Sequence, residues 1–403
     1  MMTSRERVRA VLEHHVPDRI PNAWGGCETT GLHVIAYQNL QKVLGVPQTP
    51  PRLDTFMVNA VFEEEVIQAM EGDVILVDSP RMCRALIRTP GWEKQWKEQE
   101  LWGCTFRVPV QEKFRVLPDG AVVWESSGNV VCPKGSFFFD TPSGTDLMAD
   151  FDFPDPDDYH PPMELPPDLL RRLEDTARYL YEETEYSLCL GETITDLQIQ
   201  PGGMIGAMVL MKEEPDVMRA FLEKSLESAL SQLRQLEQAV GKYVDILSIA
   251  HDFGDNRGIT IGEELWRELY KPYYYRLFQE WKKITGMKSN LHSCGGVRAI
   301  LPDLIECGVD LYNPVQISAQ EMEPAQLKED FGEKIIFWGG GYDAQQFRPE
   351  DSYETVYARV KENLRVLGKG GGYFFSGVHN LPADVPAEHL RAILNAYCQV
   401  REY

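Results

Sequence analysis

The chain has 403 residues, 43% hydrophobic and 25% charged, with Lys+Arg at 40 against Asp+Glu at 62 and a formal net charge of −22. An acid excess of this size repels phosphate backbones and anionic headgroups, which argues against nucleic-acid and membrane partners, and no apolar run reaches the roughly 20 residues of a spanning helix. The 8 cysteines are scattered, and Met-Met-Thr-Ser-Arg-Glu-Arg leads into a polar helix pattern instead of an apolar signal core; free thiols and a cytoplasmic setting are expected.

Thr3-Ser4-Arg5-Glu6 has capping-box spacing ahead of Val8, Val11 and Leu12, predicting a first helix that stops near Val16-Pro17. Residues 18–21 read as a loop or short extended lead-in. Residues 22–30, with Trp24, Cys27 and Glu28, read as an active-site loop or an ordinary surface connection. Residues 63–70 are helical, and 74–77 form a strand that ends at Asp78-Ser79-Pro80. From 85 to 141 tryptophans and phenylalanines alternate with polar residues around turn signals at Pro118-Asp119-Gly120 and Ser127-Gly128. This predicts a β-rich insertion of antiparallel hairpins, inside or beside the main fold. The Pro/Asp-rich stretch 154–167 is a linker, and 168–182 a helix.

A strand–helix rhythm follows. Strands near 189, 247, 290, 311, 337 and 374 join the one near 76, and helices are predicted over 215–240, 262–281 with a break at Pro272, 297–306, 351–367 and 388–398. Repeated strand–helix units imply parallel strands with right-handed crossovers. The expected fold is α/β, a distorted (β/α)8 TIM barrel in one domain over 1–403, with an eighth strand sought in 198–210. A doubly wound sheet is the runner-up, but neither standard Gly-rich phosphate loop is present.

In a barrel the C-terminal strand ends share one mouth, gathering Asp78, Glu192, Asp252, Asp255, His292, Cys294, Asn313, Gln316, Asp343 and His379. His292 and Cys294 are two apart, so in a strand they project to one side. A catalytic zinc needs three protein ligands and an open position. His379 is the best third candidate; Glu192 and Asp252 are substitutes, and Cys307 is discounted as lying at the far face. His251, at a strand end, is more often a hydrogen-bonded rim group than a site residue. Asp78, Glu192, Asp252 and Asp255 are the candidate catalytic carboxylates, and Trp24, Asn313, Gln316, Asp343 and Asn380 the candidate substrate contacts. The aromatic series of the hairpin region reads as core.

With these residues in view, the chain resembles the uroporphyrinogen decarboxylase superfamily, and within it the branch of zinc-dependent methyltransferases that act with corrinoid proteins. The likeness rests on Asp252-Phe253-Gly254 with Gly258, His292-Ser293-Cys294-Gly295, Gly308-Val309-Asp310, Asn313-Pro314-Val315-Gln316, Phe337-Trp338-Gly339-Gly340-Gly341, and Val378-His379-Asn380 with Asp384-Val385-Pro386. The superfamily fold is a distorted (β/α)8 barrel. Asp78 resembles the decarboxylases' essential aspartate and His379 their active-site histidine. Those enzymes lack the His-x-Cys pair, however, and grip their substrate with two N-terminal arginines where this chain offers only Arg19. The methyltransferases carry the pair, with a third ligand, Cys, seven residues before a Pro. His379 stands seven before Pro386.

The resemblance implies Zn2+ on His292, Cys294 and His379, and a methyl group moved between a small thiol, ether or amine and a corrinoid (cobalamin) carried on a partner protein. No Asp-x-His-x-x-Gly corrinoid signature occurs in this chain. The alternatives are a cofactor-free tetrapyrrole decarboxylase, such as uroporphyrinogen decarboxylase itself, built on Asp78 and His379, or a non-catalytic tetrapyrrole binder. A homo-oligomer is possible.

Overall fold

Seven short strands, β1 (Val74–Leu76), β2 (Ser187–Leu190), β3 (Ile246–Ala250), β4 (Lys288–His292), β5 (Leu311–Asn313), β6 (Ile336–Trp338) and β7 (Tyr373–Phe374), form one sheet in which each pairs in parallel with its sequence neighbours. The computed structural model describes residues 2–55, 57–78, 91–136, 138–139 and 155–403. Helices carry the chain back between strands: Pro215–Val240, Glu263–Leu269 with Lys271–Ile284 beyond the break at Pro272, Leu301–Cys307, Pro324–Phe331 and Tyr353–Gly368, with Ala387–Val400 after β7. Each strand of the rhythm read from the sequence is present, and the sheet curls into a distorted (β/α)8 barrel.

The eighth strand is not where it was sought. Residues 198–202 have no regular structure, and Gly203–Glu213 is a helix. That apolar run is too long for a buried strand and holds strong helix formers. The seam between β7 and β1 is bridged instead by extended residues 21–23. Phe375 N donates to Pro21 O at 2.9 Å, Ala23 N to Phe375 O at 2.9 Å and, on the other side, Asp73 N to Asn22 O at 2.7 Å. Asn22 and Phe375 make a parallel bridge. Pro21-Asn22-Ala23 is too short a run to carry a periodic signal; sequence reading put Pro21 in a loop or short extended lead-in and the next two residues in a loop or surface connection.

Strand alternation divides the core in two. Val74, Cys189, Ile246, Leu311, Ile336, Trp338 and Phe374 pack with one another and with Val8, Val11 and Leu12. Their neighbours Ile75, Leu188, Leu247, Leu291, Tyr312, Phe337 and Tyr373 belong to the larger cluster shared with the helices. The first set is thus the barrel interior, and helix Ser4–Leu12 plugs its lower end. That helix has the expected capping box but ends at Leu12, where His14 takes a left-handed φ of 57°, short of the predicted Val16. At this end Asp73 is fully buried and accepts from Arg7 Nη1 at 2.7 Å, Arg19 Nη1 at 2.7 Å and the backbone N–H of Asn22 at 2.8 Å.

The hairpin reading holds where the chain is described. Trp96–Leu101 pairs antiparallel with Cys104–Pro109, and Phe114–Val116, Val122–Trp124 and Val130–Cys132 form a second antiparallel sheet. Trp102 and Phe106, and separately Phe114 and Trp124, lie within ring-contact distance, and Phe139 touches three of them. Residues 79–90, 137 and 140–154, including Ser79, Pro80, Cys83 and parts of the predicted insertion and linker, lie outside the described residues. Two helices had no reading in the sequence: Val34–Leu44, whose N-cap His33 accepts from Ile35 N, and Pro324–Phe331. Among the described residues no helix is long and apolar enough to cross a membrane, and the cysteines are free thiols.

Candidate metal centre

Along β4 the even-numbered residues face the barrel axis: Asn290 Nδ2 donates to Ser248 Oγ at 2.9 Å, and His292 follows one layer higher, level with Ala250 of β3 and Asn313 of β5. The chain leaves the strand through Ser293, whose N–H donates to Asn313 O at 2.7 Å and whose hydroxyl accepts from Phe253 N at 3.0 Å. Gly295 then turns with φ +92°. A Cβ there would sit 2.5 Å from the Gly254 carbonyl carbon, so only glycine lets the small hairpin at 254–259 close on this turn. The outcome is a fixed position for Cys294.

His379, beyond β7, completes the group. The candidate ligand atoms of His292, Cys294 and His379 all lie within 4.8 Å of one another. Cys294 Sγ is 3.4 Å from His292 Nε2, against roughly 3.5 Å for a sulfur and a nitrogen on one tetrahedral zinc. The two imidazoles stand edge to face, centroids 5.3 Å apart. The sequence-predicted triad is therefore brought together from two strand ends, and it could hold a metal ion.

The second ring nitrogen of His292 fixes its role. Asn313 Nδ2 donates to Trp338 O at 3.2 Å, so Asn313 Oδ1 is an acceptor. It takes the Thr29 hydroxyl at 2.9 Å and His292 Nδ1 at 2.6 Å. His292 Nδ1 must then carry the proton, leaving the Nε2 lone pair for a ligand bond. Burial, followed by the neighbouring His292, pushes His379 down to about 3. Burial also lowers His292, partly offset by Asp252 and Asn313. Both rings are thus neutral, as ligation requires. Burial, then the Asp252 charge, pushes the Cys294 thiol up to about 12. A cation would reverse that preference, since a coordinated thiol is deprotonated.

The remaining predicted residues divide clearly. Asp252 is at the centre: Oδ1 accepts from Cys294 N at 2.9 Å and lies 3.9 Å from His292 Nε2. A cleft of about 760 Å³ opens over the cluster, lined by Cys294 and His379 with Asp255, Gln316, Asp343 and Asn380. Several of these also build the frame. Gln316 accepts from Gly295 N at 2.7 Å and donates to Asn256. Asp343 accepts from Ser318 N and Gln345 N. Asn380 accepts from Gly31 N and donates to Glu28 O. Asp78 and Glu192 are buried and are not among the residues lining the cleft; Asp78 faces Arg172 at 3.6 Å and Glu192 N bonds Glu28 Oε1 at 2.7 Å. Trp24 is buried edge-on to Phe375. His251 is buried with Nδ1 2.7 Å from the Tyr274 hydroxyl. Thr29 was missed by sequence reading, because a threonine 284 residues from its partner carries no local signal.

Fold and rim together define a distorted (β/α)8 barrel with a candidate metal centre at its mouth. Residues 202–400 match the family model described as uroporphyrinogen decarboxylase (URO-D). Among solved structures, a methyltransferase from Methanosarcina mazei is similar, with a TM-score of 0.56 and 15% identity over 99% of each chain. No curated protein matches the sequence.

Proposed function

We propose that the chain is a zinc-dependent methyltransferase that moves a methyl group between a small thiol, ether or amine and a corrinoid (cobalamin) carried by a partner protein in the cytoplasm. The observation that carries this reading is the convergence of His292, Cys294 and His379 within 4.8 Å at the barrel mouth. Two imidazoles and one thiolate are a borderline-soft donor set that suits zinc and leaves a fourth position open. Bound there, zinc supplies Lewis acidity toward the substrate heteroatom.

The protein's own groups do the rest. Asp252, its side chain 53% exposed and 3.9 Å from His292 Nε2, can give or take the proton at the heteroatom. A methyl donor would leave the bonding electron pair on its heteroatom, which would take the proton held by Asp252, and the partner's reduced corrinoid would supply the nucleophile that accepts the methyl group. Asp255 lies beside this path on the cleft wall, and Gln316, Asp343 and Asn380 shape the opening through which the corrinoid would enter.

The decarboxylase alternative has less to stand on. Several acetate groups need several cations, yet Arg19 is engaged with Asp73 and Tyr397, and among the described residues Arg257 is the one basic residue lining the cleft. The test is zinc content of the purified protein and of Cys294→Ala, followed by methyl transfer to reduced cobalamin. We expect one zinc per chain, lost in the variant; a zinc-free unmodified protein would remove the reading.

A further inference from the structure

Beside the cluster lies a second cavity, of about 390 Å³, lined by Met208, Phe253, Trp266 and Tyr270 and by two carboxylates, Asp252 and Asp255. It shares Gly254 and Asp255 with the cleft that holds Cys294 and His379, and Asp252 Oδ1 lies 3.9 Å from His292 Nε2. The volume falls in the lower range of small-molecule pockets, about 300–1,000 Å³. We propose that this cavity binds the cationic head of a small alkylammonium compound, and that this compound is the substrate, its thiol or ether heteroatom turned toward the three candidate ligands. Its identity as substrate rests on the methyltransferase reading; the existence of the cation site does not.

Charge selects the ligand. No Lys or Arg lines the cavity. His251, the one histidine in the lining, has Nδ1 2.7 Å from the Tyr274 hydroxyl, and burial pushes it down to about 3, so it brings no positive charge. Asp252 Oδ1 accepts from Cys294 N at 2.9 Å and Asp255 Oδ1 from Arg257 N at 2.7 Å, yet each aspartate keeps 53% of its side chain exposed. The Arg257 guanidinium is 3.9 Å from Asp255, but its side chain is 91% exposed and lines the cleft, not this cavity. A carboxylate or sulfonate would enter against two like charges without a counter-charge. An ammonium is drawn in, and a chain of net charge −22 favours its approach. Zn2+ on two imidazoles and one thiolate would add a single positive charge, which the two carboxylates outweigh.

The walls favour an alkylated cation. Aromatic rings attract organic cations through their quadrupole, and they take the attached methyl groups out of water. Phe253 is inclined at 79° to Trp266 and at 58° to Tyr270, so it forms a parallel slot with neither and suits a rounded group over a flat one. The thioether of Met208 adds polarizable surface that adapts to such a shape.

The experiment is calorimetric titration of the full-length protein with choline, with its uncharged isostere 3,3-dimethylbutan-1-ol and with 2-methoxyphenol. It is run on the unmodified chain, Asp255→Asn and Met208→Trp, with zinc content measured on each sample. The asparagine keeps an acceptor for Arg257 N and removes only the charge. We expect saturable choline binding, at least about tenfold tighter than that of either uncharged probe. Asp255→Asn should weaken it several-fold and Met208→Trp at least about tenfold, with zinc unchanged. Choline binding that is no tighter than the uncharged probes', or indifferent to either variant, overturns the proposal. The expected profile in a zinc-free unmodified protein supports the cation site and removes the methyltransferase reading. A zinc-loaded chain that does not bind choline overturns the cation site and leaves that reading standing.

Discussion

Asn313 Oδ1 receives both His292 Nδ1 at 2.6 Å and the Thr29 hydroxyl at 2.9 Å, so a residue expected to touch substrate also holds the ring of a candidate metal ligand. Partners of this kind set ring tautomer and basicity, and their loss typically costs about 10–100-fold in metal affinity. Asn313→Ala should lower zinc affinity in that range, measured by chelator competition. Asn313→Asp, which keeps an acceptor, should stay near the unmodified value. Equal affinity in all three would show that the contact is incidental.

His379 occupies the position where the resembled methyltransferases have cysteine. A thiolate can replace the imidazole on zinc. His379→Cys should therefore retain one zinc per chain, while His379→Ala should lose it readily to a chelator. Metal analysis after dialysis distinguishes them.

Gly295→Ala adds a Cβ that would meet Gly254 at 2.5 Å on a backbone with φ +92°. We expect a stability loss of about 2–3 kcal/mol, seen as a lower denaturation midpoint at constant m-value. Zinc affinity should fall with it, because the turn fixes Cys294.

Asp73 binds Arg7 and Arg19 and accepts from Asn22 at the seam that closes the barrel. Asp73→Ala leaves buried Arg7 with one anionic partner fewer and frees the seam. A loss of about 3–5 kcal/mol is expected, measured by urea unfolding. A loss below about 1 kcal/mol, the scale of a surface pair, would mean that residues 21–23 are held some other way.

Burial pushes His251 down to about 3, against 6.5 for the ordinary side chain. Between those values the unfolded chain binds the proton and the folded chain does not. Stability from this group is complete above 6.5 and is lost as pH falls toward 3, with a slope of at most about 1.4 kcal/mol per pH unit. His251→Gln should flatten the dependence of urea stability on pH between 6.5 and 4, compared on the metal-free protein.

By itself the sequence determined the seven parallel strands, most of the helices between them, and the triad His292, Cys294 and His379. Buried strands are continuous apolar runs, helices carry their period and caps locally, and a barrel sends every strand's C-terminal end to one rim, so residues remote in the chain become neighbours by topology alone. Tertiary structure alone decided the rest. Residues 21–23 close the seam, Thr29 and Asn313 aim His292, and a cavity opens behind Asp252. Each depends on contacts between segments far apart in sequence, and no local periodicity encodes which distant group a hydroxyl, an amide or an indole N–H will meet.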